Sequence, residues 1–363
     1  MKRKTSFPFA FCSLIRTFVA SYTKNRMHIP PFNITEKILH QISEISEQVG
    51  SLNSRIGNDV PSPMLRKKNQ IRTIHSSLAI ENNTLSLKQV TDIIDGKHVL
   101  GAPDEIQEVK NAIEAYRLMP QLDAFKEKDL LKAHGLMMSQ LVRNAGHYRQ
   151  EGVGVFDGNG NCLHMAPPPD RVPELMGDLF HWVKTCKTHP LVYSCVFHYE
   201  FEFIHPFIDG NGRMGRYWQT MLLSRWKGIF SWIPVETIVK EHQQEYYGVI
   251  AKCDAAGEST LFIEFMLQCM LEAMENYEEA EEEEAKVQDK VQDKVQDKFP
   301  ELSQSAWDVI EIIHQRPKAT VNDICNQLNL KDRQVYKHIA TLKSFGLLVR
   351  VGSNKTGYWK VNM

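Results

Sequence analysis

HPFIDGNGRMGR, residues 205–216, places a histidine, a carboxylate, three glycines and two arginines within a dozen positions. Gly210 and Gly212 bare the backbone, so N–H groups can converge on an anion where a helix begins. Arg213 and Arg216 stand three apart and reach one side of that helix start, where guanidinium forks can grip phosphate oxygens. Asp209 supplies one hard oxygen for Mg²⁺, which keeps several waters and takes its other ligands from a nucleotide. His205, from a residue type that ordinarily titrates near ~6.5, can take a proton from a hydroxyl. Together these describe phosphoryl or nucleotidyl transfer. No GxxxxGK[ST] is present, so the stretch is not a P-loop. A rival grouping, His198, Glu202 and His205 at helical spacing, could ligate a metal, but it lacks HExxH and leaves both arginines idle.

The rest of the chain narrows the setting. Its 363 residues suit two or three domains, and 42% apolar content suits ordinary cores. A formal net charge of −1 argues against binding nucleic acid through overall charge. The seven cysteines are scattered without a CxxC pair, as expected of reduced thiols in a cytoplasmic protein. No uninterrupted apolar run approaches the ~20 residues of a membrane helix. Residues 1–26 imitate a secretory signal, yet Arg16 interrupts the apolar run and no good cleavage site follows. They are expected to be a disordered or misassigned extension, with Met27 as the natural start.

Helical periodicity dominates residues 27–130, beginning with Ile38, Leu39, Ile42, Ile45 and Val49 behind the cap residues Asn33-Ile34-Thr35. Short strand-like pieces, Val153–Phe156 and Cys162–Met165, flank a glycine-rich turn and predict a hairpin. Helices resume and carry the motif, giving a core over 131–275. A low-complexity linker follows at 276–300, where Val287, Val291 and Val295 would mark a slowly drifting stripe. Residues 301–363 read as three helices and two strands around a turn, the layout of a winged helix-turn-helix. That segment carries nine Lys or Arg against five Asp or Glu. Lys331, Arg333, Lys337, Lys343, Arg350 and Lys355 would suit DNA phosphates, and protein contact would suit the layout equally.

HPFIDGNGRMGR matches HxFx(D/E)GNGRxxR at every specified position, so the chain resembles the Fic (Fic/DOC) protein adenylyltransferases. GHYRQEGVGV…MAPPP resembles that family's hairpin flap, and EYYGVIAKCD (245–254) its later nucleotide-side segment. The resemblance implies a mainly α fold: a Fic-type helical bundle with a β-hairpin flap, plus the small winged-helix appendage. It implies His205 as general base and Asp209 as holder of Mg²⁺. It makes Gly210, Asn211, Gly212, Arg213, Met214, Gly215 and Arg216 the ATP cradle. Tyr246 would lie against adenine, Asp254 stands where some relatives have Asn, and Gly154 and Val155 of the flap would register the target backbone.

SLAIEN, Ser77 to Asn82, fits the family's inhibitory pattern (S/T)xxxE(G/N). In relatives the glutamate reaches the second arginine of the motif, here Arg216. A carboxylate there would remove the clamp on the terminal phosphate, so ATP would bind unproductively. The implied function is an autoinhibited transfer of AMP from ATP to a Ser, Thr or Tyr hydroxyl of a target protein, with pyrophosphate released. A same-fold alternative uses another nucleotide or removes AMP. An alternative of another class is a DNA-binding regulator whose helical domain senses nucleotide. A homodimer is compatible with either, and no membrane partner is expected.

Overall fold

Two helices that are buried on nearly every face fix the centre of the fold. In the computed structural model, which describes residues 28–56, 63–156, 162–299, 301–352 and 357–362, they lie side by side and carry the 205–216 motif between them. The proposed extension 1–26, the hairpin turn 157–161 and the 353–356 turn with Lys355 lie outside the described residues.

The helices preceding the motif are α1 (Glu36–Ile56), α2 (Pro63–Ile80), α3 (Leu87–Ile94), α4 (Pro103–Leu118) and α5 (Glu127–Met137). Thr35 caps α1 by accepting the Ile38 N–H at 3.2 Å, and Ile38, Ile45, Val49 and Leu52 face the core. Leu39, expected on that face, is exposed. Strands β1 (Gly154–Phe156) and β2 (Cys162–Met165) then pair antiparallel, Gly154 opposite Met165, with an irregularity between Val155 and Phe156.

Next come α6 (Val172–Thr185), α7 (Pro190–Ile204) and α8 (Asn211–Trp226), then α9 (Val235–Glu241), α10 (Gln243–Ala256) and α11 (Thr260–Lys298). Proline is the first residue of α2, α4 and α7, where its missing N–H leaves no acceptor unsatisfied. The KVQD repeat continues α11 as helix rather than interrupting it. At Gly215 a Cβ would stand 2.7 Å from Glu202 Oε1 and 2.8 Å from His198 Cδ2, so glycine is what lets α8 approach α7 this closely.

The chain divides into two compact units at 279/280. The second unit contains α12 (Gln304–Gln315), α13 (Val321–Leu328) and α14 (Asp332–Ser344), followed by the antiparallel pair β3 (Leu348–Val351) and β4 (Tyr358–Val361). Trp307, Ile310, Ile313, Ile324, Val335, Leu342 and Leu348 form its own buried cluster. The Trp359 N–H donates to the Pro317 carbonyl at 2.7 Å, tying β4 to the α12–α13 connection. A core of this kind predicts autonomous folding. A fragment beginning at Phe299 should unfold cooperatively with heat, followed by Trp307 fluorescence. Ile313→Ala should lower its stability by about 2–5 kcal/mol. A fragment with no cooperative transition would overturn this expectation.

Candidate active site

The connection between α7 and α8 is held from several directions. His205 ends α7 in the left-handed region, φ 49°, a conformation that costs a non-glycine residue on the order of 1–3 kcal/mol and persists only where surroundings enforce it. Its ring Nδ1 lies 3.3 Å from the Glu202 carbonyl. That contact favours the tautomer with the proton on Nδ1 and the lone pair on Nε2, the form a base needs. Asn211 braces the loop with its carboxamide: Oδ1 accepts the Phe207 N–H at 2.9 Å, and Nδ2 donates to the Phe207 carbonyl at 3.0 Å. The side chain of Asn211, a residue expected to receive phosphate, is therefore committed to the backbone, and its main-chain N–H is what it has to offer an anion.

His134, on α5, supports the same loop and carries no motif signal in the sequence. Its ring stacks on Phe207 with centroids 3.6 Å apart. Nδ1 accepts the Gly146 N–H at 2.8 Å, which leaves Nε2–H to donate to the Asp209 carbonyl at 3.1 Å. Burial pushes its pKa down to about 4, consistent with a neutral ring accepting on one nitrogen and donating from the other.

Gly210, at φ 83°, turns the chain into α8, whose first-turn amides have no acceptor within the helix. A side chain there would meet Met138 Sδ at 2.6 Å. Asp209 Oδ1 accepts the Gly210 N–H at 2.6 Å and Arg213 Nη2 at 3.2 Å, while the carboxylate remains 57% exposed. Arg213 Nη1 donates to Glu108 at 3.0 Å. Arg216 is buried: Nε reaches Ser77 Oγ at 3.2 Å, and Nη2 reaches the Ser77 carbonyl at 2.9 Å and Glu81 Oε1 at 2.7 Å. A Cβ on Gly212 would collide with Glu81 Oε1, so the Glu81 carboxylate lies directly on the bare first turn of α8. Met214 and Gly215, grouped by sequence with the cradle, do not belong to it. Helical rotation turns Met214 into the core and Gly215 onto α7.

The turn carrying Glu81 is itself braced. Asn82 adopts φ 68°, which explains why the pattern takes Gly or Asn at that position. Asn83 Nδ2 donates to Glu108 Oε2 at 2.8 Å, so one carboxylate joins this turn to Arg213. On the other side, Gln243 Nε2 and the Tyr247 hydroxyl both donate to the Ile80 carbonyl, at 2.9 and 3.2 Å.

Tyr246 requires correction. It is 1% exposed, and its hydroxyl lies 3.1 Å from His198 Nε2, so it cannot face adenine. Its neighbour Tyr247 is 44% exposed and turns its hydroxyl to the Ile80 carbonyl. Asp254 accepts the Tyr199 hydroxyl at 2.8 Å. The rival metal grouping also fails, since His198 Nδ1 lies 2.7 Å from Gln219 Oε1 and both ring nitrogens are thereby committed. Of the flap residues, Gly154 pairs in β1, and the Val155 side chain lies outside the described atoms.

Burial pushes the His198 pKa down to about 3. Because that value is below the unfolded one near ~6.5, the unfolded chain binds the extra proton. The residue's stabilising contribution is therefore complete above pH ~6.5 and is lost as pH falls toward the folded pKa. His198→Gln should flatten acid sensitivity between about pH 6 and 4 by up to ~1.4 kcal/mol per pH unit, measured by denaturant unfolding at each pH. Parallel curves for the two proteins would show that His198 is not buried neutral.

The Fic/DOC family profile matches residues 124–223. The protein adenylyltransferase Fic of Aedes aegypti is 27% identical over 244 residues, covering 63% of this chain and 46% of that protein. Its counterpart from Nematostella vectensis is 26% identical, covering 63% and 53%. The chain thus spans about half the length of the curated relatives it matches. A Fic family protein from Desulfovibrio desulfuricans G20 has a crystal structure that superposes with TM-score 0.67 at 41% identity, covering 92% of this chain and 98% of that one. Fic-1 from C. elegans, at 20% identity and TM-score 0.53, shares the fold. The chain belongs to the Fic/DOC family.

Proposed function

We propose that the chain is a protein adenylyltransferase held at rest by Glu81. The observation that carries this reading is the Glu81 carboxylate lying on the first turn of α8 and bonded to Arg216 at 2.7 Å. An anion from the chain itself occupies the place where His205, Asp209 and the helix N-terminus would meet a nucleotide's phosphates. The names of the curated relatives support the same class of activity.

In the reaction, His205 Nε2 accepts the proton of a Ser, Thr or Tyr hydroxyl on the target. The oxygen forms a bond to the α-phosphorus of ATP, the α–β anhydride bond breaks, and pyrophosphate leaves with its electron pair. The α8 amides and Arg213 hold charge on the α- and β-phosphates, and Arg216 orients the terminal phosphate once Glu81 withdraws. Asp209 would hold Mg²⁺. Its carboxylate is largely exposed, and among the described residues no three His, Cys, Asp or Glu side chains gather, so water and phosphate would complete the shell. The ion, when bound, would offset charge on the leaving pyrophosphate.

In the second unit, Lys331 just before α14 and Arg333, Gln334 and Lys337 on it are exposed, while Lys343 and Arg350 stand 5.2 and 4.7 Å from the Trp359 ring centre. This basic face supports contact with duplex DNA, which would weaken steeply with salt. Among the described residues, no helix is long and apolar enough to cross a membrane.

Glu81→Gly should raise the initial rate of labelled-AMP transfer, self-modification included, at least roughly tenfold, the lower end for a charge-assisted hydrogen bond of ~1.5–3 kcal/mol. Adding Arg216→Ala should abolish the gain. Equal rates for wild type and Glu81→Gly would sink the inhibitory role of Glu81. In the Glu81→Gly background, His205→Ala should remove transfer while ATP still binds, and undiminished transfer would exclude His205 as base. Asn83→Ala in the otherwise wild-type chain loosens the braced turn. It should raise the rate by about 2–10-fold, as expected for a net contribution of ~0.5–1.5 kcal/mol to holding the turn. No change would show that the Asn83–Glu108 bond does not hold Glu81 in place.

A further inference from the structure

Arg149 lies just before the hairpin and is 2% exposed, yet among the described residues no carboxylate pairs with it. All of its side-chain bonds go to main-chain carbonyls. Nε donates to His205 at 2.8 Å, Nη1 to Glu151 at 2.9 Å, and Nη2 to Pro167 at 2.5 Å and Ile204 at 3.3 Å. The Arg149 N–H adds a fifth link, to the Pro206 carbonyl at 2.9 Å. Glu151 precedes β1 and Pro167 follows β2, so one guanidinium grips both roots of the hairpin. The remaining acceptors, residues 204–206, are the strained end of α7 that carries the base.

A buried cation without a counter-ion is a costly way to fill space, and an apolar residue of similar size would serve packing better. What a planar fork does that neither an apolar residue nor lysine can do is fix several acceptors at set angles to one another. The acceptors here belong to the two parts that must meet for transfer: the hairpin beside which a target chain would lie, and the residue that takes the proton.

We propose that Arg149 is a positioning residue. It holds His205 in its left-handed conformation and sets the separation between that base and the hairpin. A hydroxyl presented along β1 is thereby brought within reach of Nε2. The inference rests on the transferase reading and extends it to the acceptor side of the site. None of the Arg149 hydrogen bonds reaches the α8 first turn, so the nucleotide side should be indifferent to it. The Ala166 N–H, which donates to the Val153 carbonyl at 3.3 Å, closes the hairpin base from within and would survive its loss.

The test uses the full chain carrying Glu81→Gly, with and without Arg149→Lys, and labelled ATP with self-modification as readout. Rates are expressed per nucleotide-binding site, titrated with a fluorescent ATP analogue, so that unfolded molecules drop out. The expected result is a maximal rate at least roughly tenfold lower, with half-saturating ATP and analogue affinity within about twofold of the parent. A side chain that merely stabilised the fold would not separate these quantities. An unchanged maximal rate overturns the proposal, and so does a parallel loss of nucleotide affinity. A variant with no binding sites at all would show that Arg149 holds the fold rather than the geometry, and overturns it equally. A Glu81→Gly parent that transfers no AMP would fail earlier and separately, taking the transferase reading down and this inference with it.

Discussion

The candidate site hangs on six residues joining two closely packed helices. α7 and α8 are buried on nearly every face, and Gly215 brings them into close approach. The connection must therefore reverse direction in a very short span, and it does so with left-handed residues at both ends, His205 and Gly210. Such a loop has few conformations available, which is what a site needs if base, carboxylate and anion cradle are to keep fixed separations. The supporting bonds from Asn211, His134 and Arg149 are directed at main-chain atoms of the loop, not at its reactive groups. The backbone that carries His205 and Asp209 is thereby held.

The electrostatics follow a consistent plan. Each of the two motif arginines is buried and meets a carboxylate from outside the motif, Arg213 from Glu108 and Arg216 from Glu81. A buried guanidinium without such a partner is strongly unfavourable. The two partners nonetheless differ. Glu108 answers to both Arg213 and Asn83, whereas Glu81 stands on a turn braced by hydrogen bonds to the Ile80 carbonyl.

Much of this was legible in the sequence, and for physical reasons. Residues 205–216 are close in sequence, so their spacing alone places them at one helix start. The Ser77–Asn82 pattern encodes a helix end, a carboxylate and a left-handed residue in order. Helical faces were legible in part: Ile38, Ile45 and Val49 are buried, while Leu39 sits one step around and faces solvent. Tyr246 and Tyr247 show the limit of that approach, because adjacent helical residues differ by about 100° and only packing decides which points inward. His134, Glu108 and Arg149 were not legible. Each lies at least 56 positions from the motif residue it contacts, and no spacing in the sequence links the two.

If Glu81 holds the site at rest as proposed, its tethering to the end of α2 has a consequence for dose response. A free competitor is diluted when the protein is diluted and displaced when ligand rises. A carboxylate fixed to the same chain competes at an effective concentration set by geometry alone. Raising the nucleotide concentration works against a constant, not a depletable pool. A site built this way is a poor gauge of nucleotide abundance. It answers to whatever alters the tether: the hydrogen bonds on the Ile80 carbonyl, the turn at Asn82, or the face of α2 that carries Ser77.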